Sequence, residues 1–95
     1  MHATIRRYKM TGDIAEANTV IHRDLIPTLA RMPSFIAYYA IDAGDGVVAS
    51  VSVFEDAAGA EESNRAAAEV VGDKLSHLIE GPPEITAGEV FAAES

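Results

Sequence analysis

Apolar and polar positions alternate along the first ten residues, then recur at three- and four-residue steps, then alternate again. Ala3 to Met10 has Ile5 on one side and Thr4, Arg6 and Tyr8 on the other, the period of a strand, and it ends at Thr11-Gly12. Asp13 with Glu16 three residues on forms a capping-box pattern. Ile14, Ala17, Ile21, Leu25, Thr28 and Met32 then mark one face of a helix. Pro27 falls inside that pattern and predicts a kink or break near residues 23–27, because it lacks an amide donor and crowds the preceding turn. Pro33 ends the element.

Phe35–Ile41 and Val47–Phe54 are strand-like runs on either side of Asp42-Ala43-Gly44-Asp45-Gly46, and read as a β-hairpin. Asp56 caps a second helix reaching about Val71, with Ala60, Ser63, Asn64, Ala67, Val70 and Val71 on one face. Those side chains are small, so the helix is expected to approach its sheet closely. Gly72-Asp73 is expected to interrupt it before a further turn from Lys74 to Ile79. After Gly81-Pro82-Pro83, Glu84 to Ala92 reads as a last strand, irregular at Gly88. The order β-α-β-β-α-β predicts an α+β, ferredoxin-like fold with a four-stranded antiparallel sheet and both helices on one face. A single domain spans residues 1–95.

Two helices cover one side of such a sheet. The row Val47, Ala49, Val51 and Val53 with Ile5 is expected to meet the helices at Ile21, Leu25, Ala67 and Val71. The other side then carries Tyr8, Ile36, Tyr38, Val48 and Phe54, an apolar face that a second copy would bury, so a homodimer is expected. Thr4, Arg6, Ser50 and Ser52 interrupt this face. A mixed lining suits a small-molecule pocket. Alternatively Arg6 snorkels at a rim or pairs with Glu89, and the serines bond locally.

Composition narrows the range of functions. Hydrophobic residues make up 48% of the chain and charged residues 23%, as in a folded protein. A net charge of -8 argues against nucleic acid and anionic membrane as partners. Without cysteine there are no disulfides, thiolate metal sites or thiol nucleophiles. The charged N-terminus is unlike a signal peptide, and a cytoplasmic location is expected. The sequence has no P-loop or GxGxxG. Neither His22 with Asp24 nor Asp42 with Asp45 has metal-ligand spacing, so no metal is expected.

The Met32-Pro33-Ser34-Phe35 lead-in to the second strand and Val53-Phe54-Glu55-Asp56 before the second helix resemble the dimeric α/β barrel superfamily. Within it, Gly81-Pro82-Pro83-Glu84-Ile85 and Gly88-Glu89-Val90 are similar to short bacterial proteins of the antibiotic biosynthesis monooxygenase type. The resemblance spans the chain and implies a homodimer with a pocket beneath its own helices or at the barrel seam. Members of the superfamily include cofactor-independent oxygenases acting on quinol-like or polyketide aromatics, haem-degrading enzymes, isomerases and proteins with no known reaction, and the fold does not choose among them. The first expectation is a cofactor-independent monooxygenase acting on a small aromatic or quinol-like ligand. Haem-degrading members pair a His with a Trp and an Asn; His77 stands in a comparable region, but the chain has no Trp and Asn64 lies elsewhere on the helix.

The candidate substrate-binding residues are Arg6, Tyr8, Tyr38, Ser50 and Ser52, with His22 or His77 as a catalytic base. The plainer readings make both histidines surface residues and both tyrosines core aromatics of a dimer seam. From a different class comes a non-catalytic dimeric binding or stress-associated module.

Overall fold

The computed structural model describes residues 1–94. Its elements are β1 (His2–Lys9), α1 (Ile14–Val20), a π-helical turn (Ile21–Leu25), α2 (Ile26–Ala30), β2 (Phe35–Gly44), β3 (Val47–Phe54), α3 (Ala57–Lys74), a 3-10 turn (Ser76–Leu78) and β4 (Glu84–Glu89). The strands form one sheet in the order β2-β3-β1-β4, every neighbouring pair antiparallel. This is the ferredoxin-like α+β arrangement expected from the element order. No helix among the described residues is long and apolar enough to cross a membrane.

Local chemistry explains the boundaries. Asp13 caps α1 by accepting from the Ala15 amide at 2.9 Å, and Asp56 caps α3 by accepting from Gly59 at 2.8 Å. The reciprocal half of the expected capping box does not form, because the Glu16 carboxylate turns to His77 instead. The disturbance expected from Pro27 is the π turn just before it. There the Ile26 amide donates to Ile21 O, five residues back, and Pro27 enters at the start of α2, where its missing donor matters least. Thr28 Oγ1 caps the loosened ladder by donating to Asp24 O at 2.8 Å. At the hairpin, Gly44, Asp45 and Gly46 all have positive φ (84°, 54° and 78°), a path that two glycines make accessible.

Two expectations fail here. The helix does not stop at Gly72-Asp73 but runs through to Lys74. One glycine costs a helix only about 1 kcal/mol, less than the surrounding turns recover by packing. The sheet faces are also inverted. Thr4, Arg6 and Tyr8 of β1 and Val48, Ser50, Ser52 and Phe54 of β3 are buried under the helices. The valine-rich row of β3 and Ile5 lie on the uncovered side. Hydrophobicity alone favoured the valine row for the helices. The register decided otherwise, because Phe54 is the anchor: fully buried, it packs edge-on against Phe35 at 5.8 Å and sits with Leu25, Leu29, Ala60, Ala66 and Ala67 in the main core.

A second cluster of Ala17, Val20, Leu75 and Leu78 closes the other end. Gly12 belongs to this closure, since a Cβ there would lie 2.2 Å from Leu78 Cδ2. The uncovered face carries a cross-strand row, Tyr39–Val51–Ile5–Thr86. Tyr39 is 61% exposed there, with Ile5, Ile36 and Ile41 also exposed.

Candidate functional site

Between the two core clusters the helix layer does not fill the space above β1. Along α3, Asn64, Ala68 and Gly72 follow one another at four-residue steps, one row of the helix surface on which side chains shrink to nothing. A Cβ at Gly72 would meet nothing within 4 Å. Opposite this row stand Arg6 and Tyr8 of β1. β4 pairs with β1 only as far as Arg7, so Tyr8 looks out past its end toward Gly81-Pro82-Pro83. The result is a cleft of about 250 Å³ lined by Arg6, Tyr8, Asn64, Ala68, Val71, Gly72, Ser76, Ile79, Gly81, Pro82, Pro83 and Ile85. Its inner extension, about 30 Å³, lies among Tyr8, Tyr38, Ser50, Val48, Leu25 and Leu75. Tyr8, Val71 and Ile79 border both spaces.

The polar floor is organised by one charge. Arg6 is 1% exposed. It donates from Nη1 to Asn64 Oδ1 at 2.8 Å and from Nη2 to Ser52 Oγ at 2.9 Å, while Thr4 Oγ1 donates to the same Asn64 oxygen at 2.9 Å. All of these partners are neutral. The expected alternatives of a rim position or a pairing with Glu89 are not what forms, for Glu89 stands opposite His2. Arg6 Nε and Ser50 Oγ are buried without any hydrogen-bond partner. Burial raises the ionisation points of Tyr8 and Tyr38 above 10.0, the Arg6 charge acting against that rise in both. The Ser50 hydroxyl lies near the Tyr38 phenol but outside ordinary hydrogen-bond geometry.

Five of the sequence candidates therefore converge: Arg6 and Tyr8 line the cleft, Tyr38 and Ser50 line its inner end, and Ser52 holds the guanidinium. His22 and His77 do not join them. His22 Nδ1 lies 2.9 Å from Asn18 O on the exposed side of the helix, and the largely exposed His77 pairs with Glu16 at 2.6 Å. Among the described residues no carboxylate or imidazole lines the cleft or its extension. Sequence reasoning weighed Asn64 only against a haem pattern, yet it joins α3 to the floor. The available signal was an amide side chain on a helix face otherwise made of alanine, valine and serine.

The buried phenol of Tyr8 and the partly buried phenol of Tyr38 stay neutral to higher pH in the folded protein than in the unfolded chain. Their contribution to stability is thus intact below 10.0 and is lost as pH rises, because the unfolded state releases its protons first. Thermal midpoints measured from about pH 8 to about pH 11 should fall above pH 10, and less steeply in Tyr8→Phe or Tyr38→Phe. An equally steep fall in both variants contradicts the burial of these phenols.

No protein-family sequence model matches the chain, and a search of curated proteins finds no match. Solved structures do match it. A protein of unknown function from Nitrosomonas europaea is 20% identical, with a TM-score of 0.75 over 99% of this chain and 92% of that one. SnoaB, a cofactor-independent oxygenase from Streptomyces nogalater, is 17% identical, with a TM-score of 0.78 over 97% and 94%. A dimeric ferredoxin-like protein from an uncultured marine organism is 12% identical, with a TM-score of 0.76 over 99% and 97%. At these identities the likeness is one of fold, and the fold is the one seen in dimeric ferredoxin-like proteins and in oxygenases of the antibiotic biosynthesis type.

Proposed function

We propose that this protein is a homodimer that binds a small aromatic or quinol-like molecule in the cleft between its sheet and helices and oxygenates it without a cofactor. The observation that supports this most is the cleft's composition: an apolar wall of Ala68, Val71, Ile79, Pro82 and Ile85 facing a polar floor of Arg6, Tyr8 and Asn64. Such a lining holds a flat apolar body and orients one polar end of it. Without flavin, haem or metal, the electrons that reduce dioxygen must come from the substrate. That restricts the chemistry to electron-rich rings that ionise readily. SnoaB, with the same fold, is a cofactor-independent oxygenase.

Arg6, Tyr8, Tyr38, Ser50 and Ser52 are the proposed binding residues, Ser52 acting through Arg6. Neither His22 nor His77 lines the cleft, so no base is assigned to them. The lack of any carboxylate or imidazole in the lining favours a second reading, a non-catalytic binding module. Two measurements on 1,4-naphthohydroquinone separate them: thermal shift without oxygen, and oxygen uptake above the spontaneous rate. Oxygenation predicts both signals, each abolished by Ala68→Trp, which fills the cleft. A thermal shift alone identifies a binding module. Neither signal rules out both readings for this class of ligand.

The dimer is proposed to form through the uncovered sheet face, whose Tyr39–Val51–Ile5 row would otherwise leave several apolar side chains wet. A relative of the same fold is described as dimeric. Light scattering should give twice the chain mass, and Val51→Lys, which places a charge mid-row, should give the monomer. A wild-type monomer at micromolar concentration overturns the dimer.

A further inference from the structure

The small space at the inner end of the cleft differs from the cleft in both size and surface. Its volume is about 30 Å³, against about 250 Å³ for the cleft. Room of that size takes a molecule or two as small as water, whereas a benzene ring is held by a cavity on the order of 150 Å³. Met10, Leu25, Val48 and Leu75 stand in its wall, and almost none of its surface is polar. The Ser50 hydroxyl belongs to the same wall but is buried, and adds next to nothing to that surface. A water held there would need several hydrogen-bond partners. A carbon-lined space of this kind stays dry and takes up apolar molecules instead.

The inner space also has two sides. Tyr8, Val71 and Ile79 border both it and the cleft. On the other side Ala17, Ile21 and Val48 border both it and a surface groove of about 220 Å³, which runs between α1 and the end of β2 at Ile41 and Asp42. A molecule seated in the cleft covers the first side and leaves the second open. Ile21 in the outer wall begins the π turn, a departure from α-helix that recurs at functional sites.

We propose that the inner space is a binding site for dioxygen, entered from the α1–β2 groove and not through the cleft. This rests on the oxygenase reading above and adds where the second substrate is held. Dioxygen is small and apolar, so it leaves water for a dry carbon-lined space that is too small for the ring. Only the side chains that border both spaces then stand between the gas and a ring in the cleft. A separate entrance lets the gas arrive after the ring has bound, when the cleft itself is plugged.

Dissolved dioxygen is paramagnetic and speeds the relaxation of nearby methyl protons, so its binding is read by NMR without turnover. Under oxygen pressure, with nitrogen as the control, the Leu25 and Leu75 methyls should relax severalfold faster than those of Leu29 and Leu78, which are also buried but lie outside the inner space. Ile21→Phe, which puts a ring into the outer wall, should remove that excess and lower kcat/KM for dioxygen severalfold. It should leave the oxygen-free thermal shift by 1,4-naphthohydroquinone unchanged, because Ile21 does not line the cleft. Ala17→Leu narrows the same wall and decides the matter if Ile21→Phe does not fold. Equal relaxation of the four leucines in the wild-type protein overturns the dioxygen site, whatever the uptake. An excess that survives in both variants overturns the outer entrance. An excess at Leu25 and Leu75 without any oxygen uptake keeps the site and removes the oxygenase reading.

Discussion

Among the described residues a single buried cation, Arg6, organises the cleft side of this molecule. Arg6 reaches from the middle of β1 into the space under α3, where Asn64 and Ser52 hold it and Thr4 steadies Asn64 in turn. These bonds tie the sheet to the second helix at a point where side chains are otherwise too small to fill the gap. The interior must therefore accommodate a cationic group. The surroundings do this with neutral dipoles and leave donors over. An interior of this kind is less stable than an apolar one of the same volume, and such a cost is generally retained where it serves recognition.

The cleft follows from two local facts of sequence around that charge. The row Asn64, Ala68 and Gly72, at four-residue steps, leaves space between α3 and the sheet, while Gly81-Pro82-Pro83 delays β4 so that its pairing stops short of Tyr8. The larger hydrophobes sit elsewhere, with Phe54 and Leu29 in one cluster and Leu75 and Leu78 in the other. The small residues that let α3 approach at Ala60, Ser63 and Ala67 belong to its buried stripe, and the neighbouring row opens the pocket. One helix thereby closes the core and opens the site on adjacent rows.

Much of this was legible in the sequence, for identifiable reasons. The order of elements followed from period changes, two aspartate caps and a glycine-rich turn, all local signals. The convergence of Arg6, Tyr8, Tyr38, Ser50 and Ser52 followed from strand parity, which holds whichever face is covered. What parity cannot supply is which face that is. The valine row looked like core, yet the phenylalanine at the end of the opposite row is the one fully buried, with Phe35 edge-on beside it. Asn64 was passed over as a site residue because its partners, Thr4 and Arg6, lie about sixty residues away in the chain. The histidines drew attention as titratable groups, but their helix positions point them away from the cleft.

Arg6 and Asn64 act as one unit in the floor of the cleft. A double-mutant cycle on urea stability with Arg6→Met, Asn64→Leu and the double variant tests it most directly. A charge-assisted bond in this setting predicts a coupling of about 1.5–3 kcal/mol, the double variant losing much less than the two single losses combined. Additive losses would show that the two side chains do not hold each other, and would contradict the account.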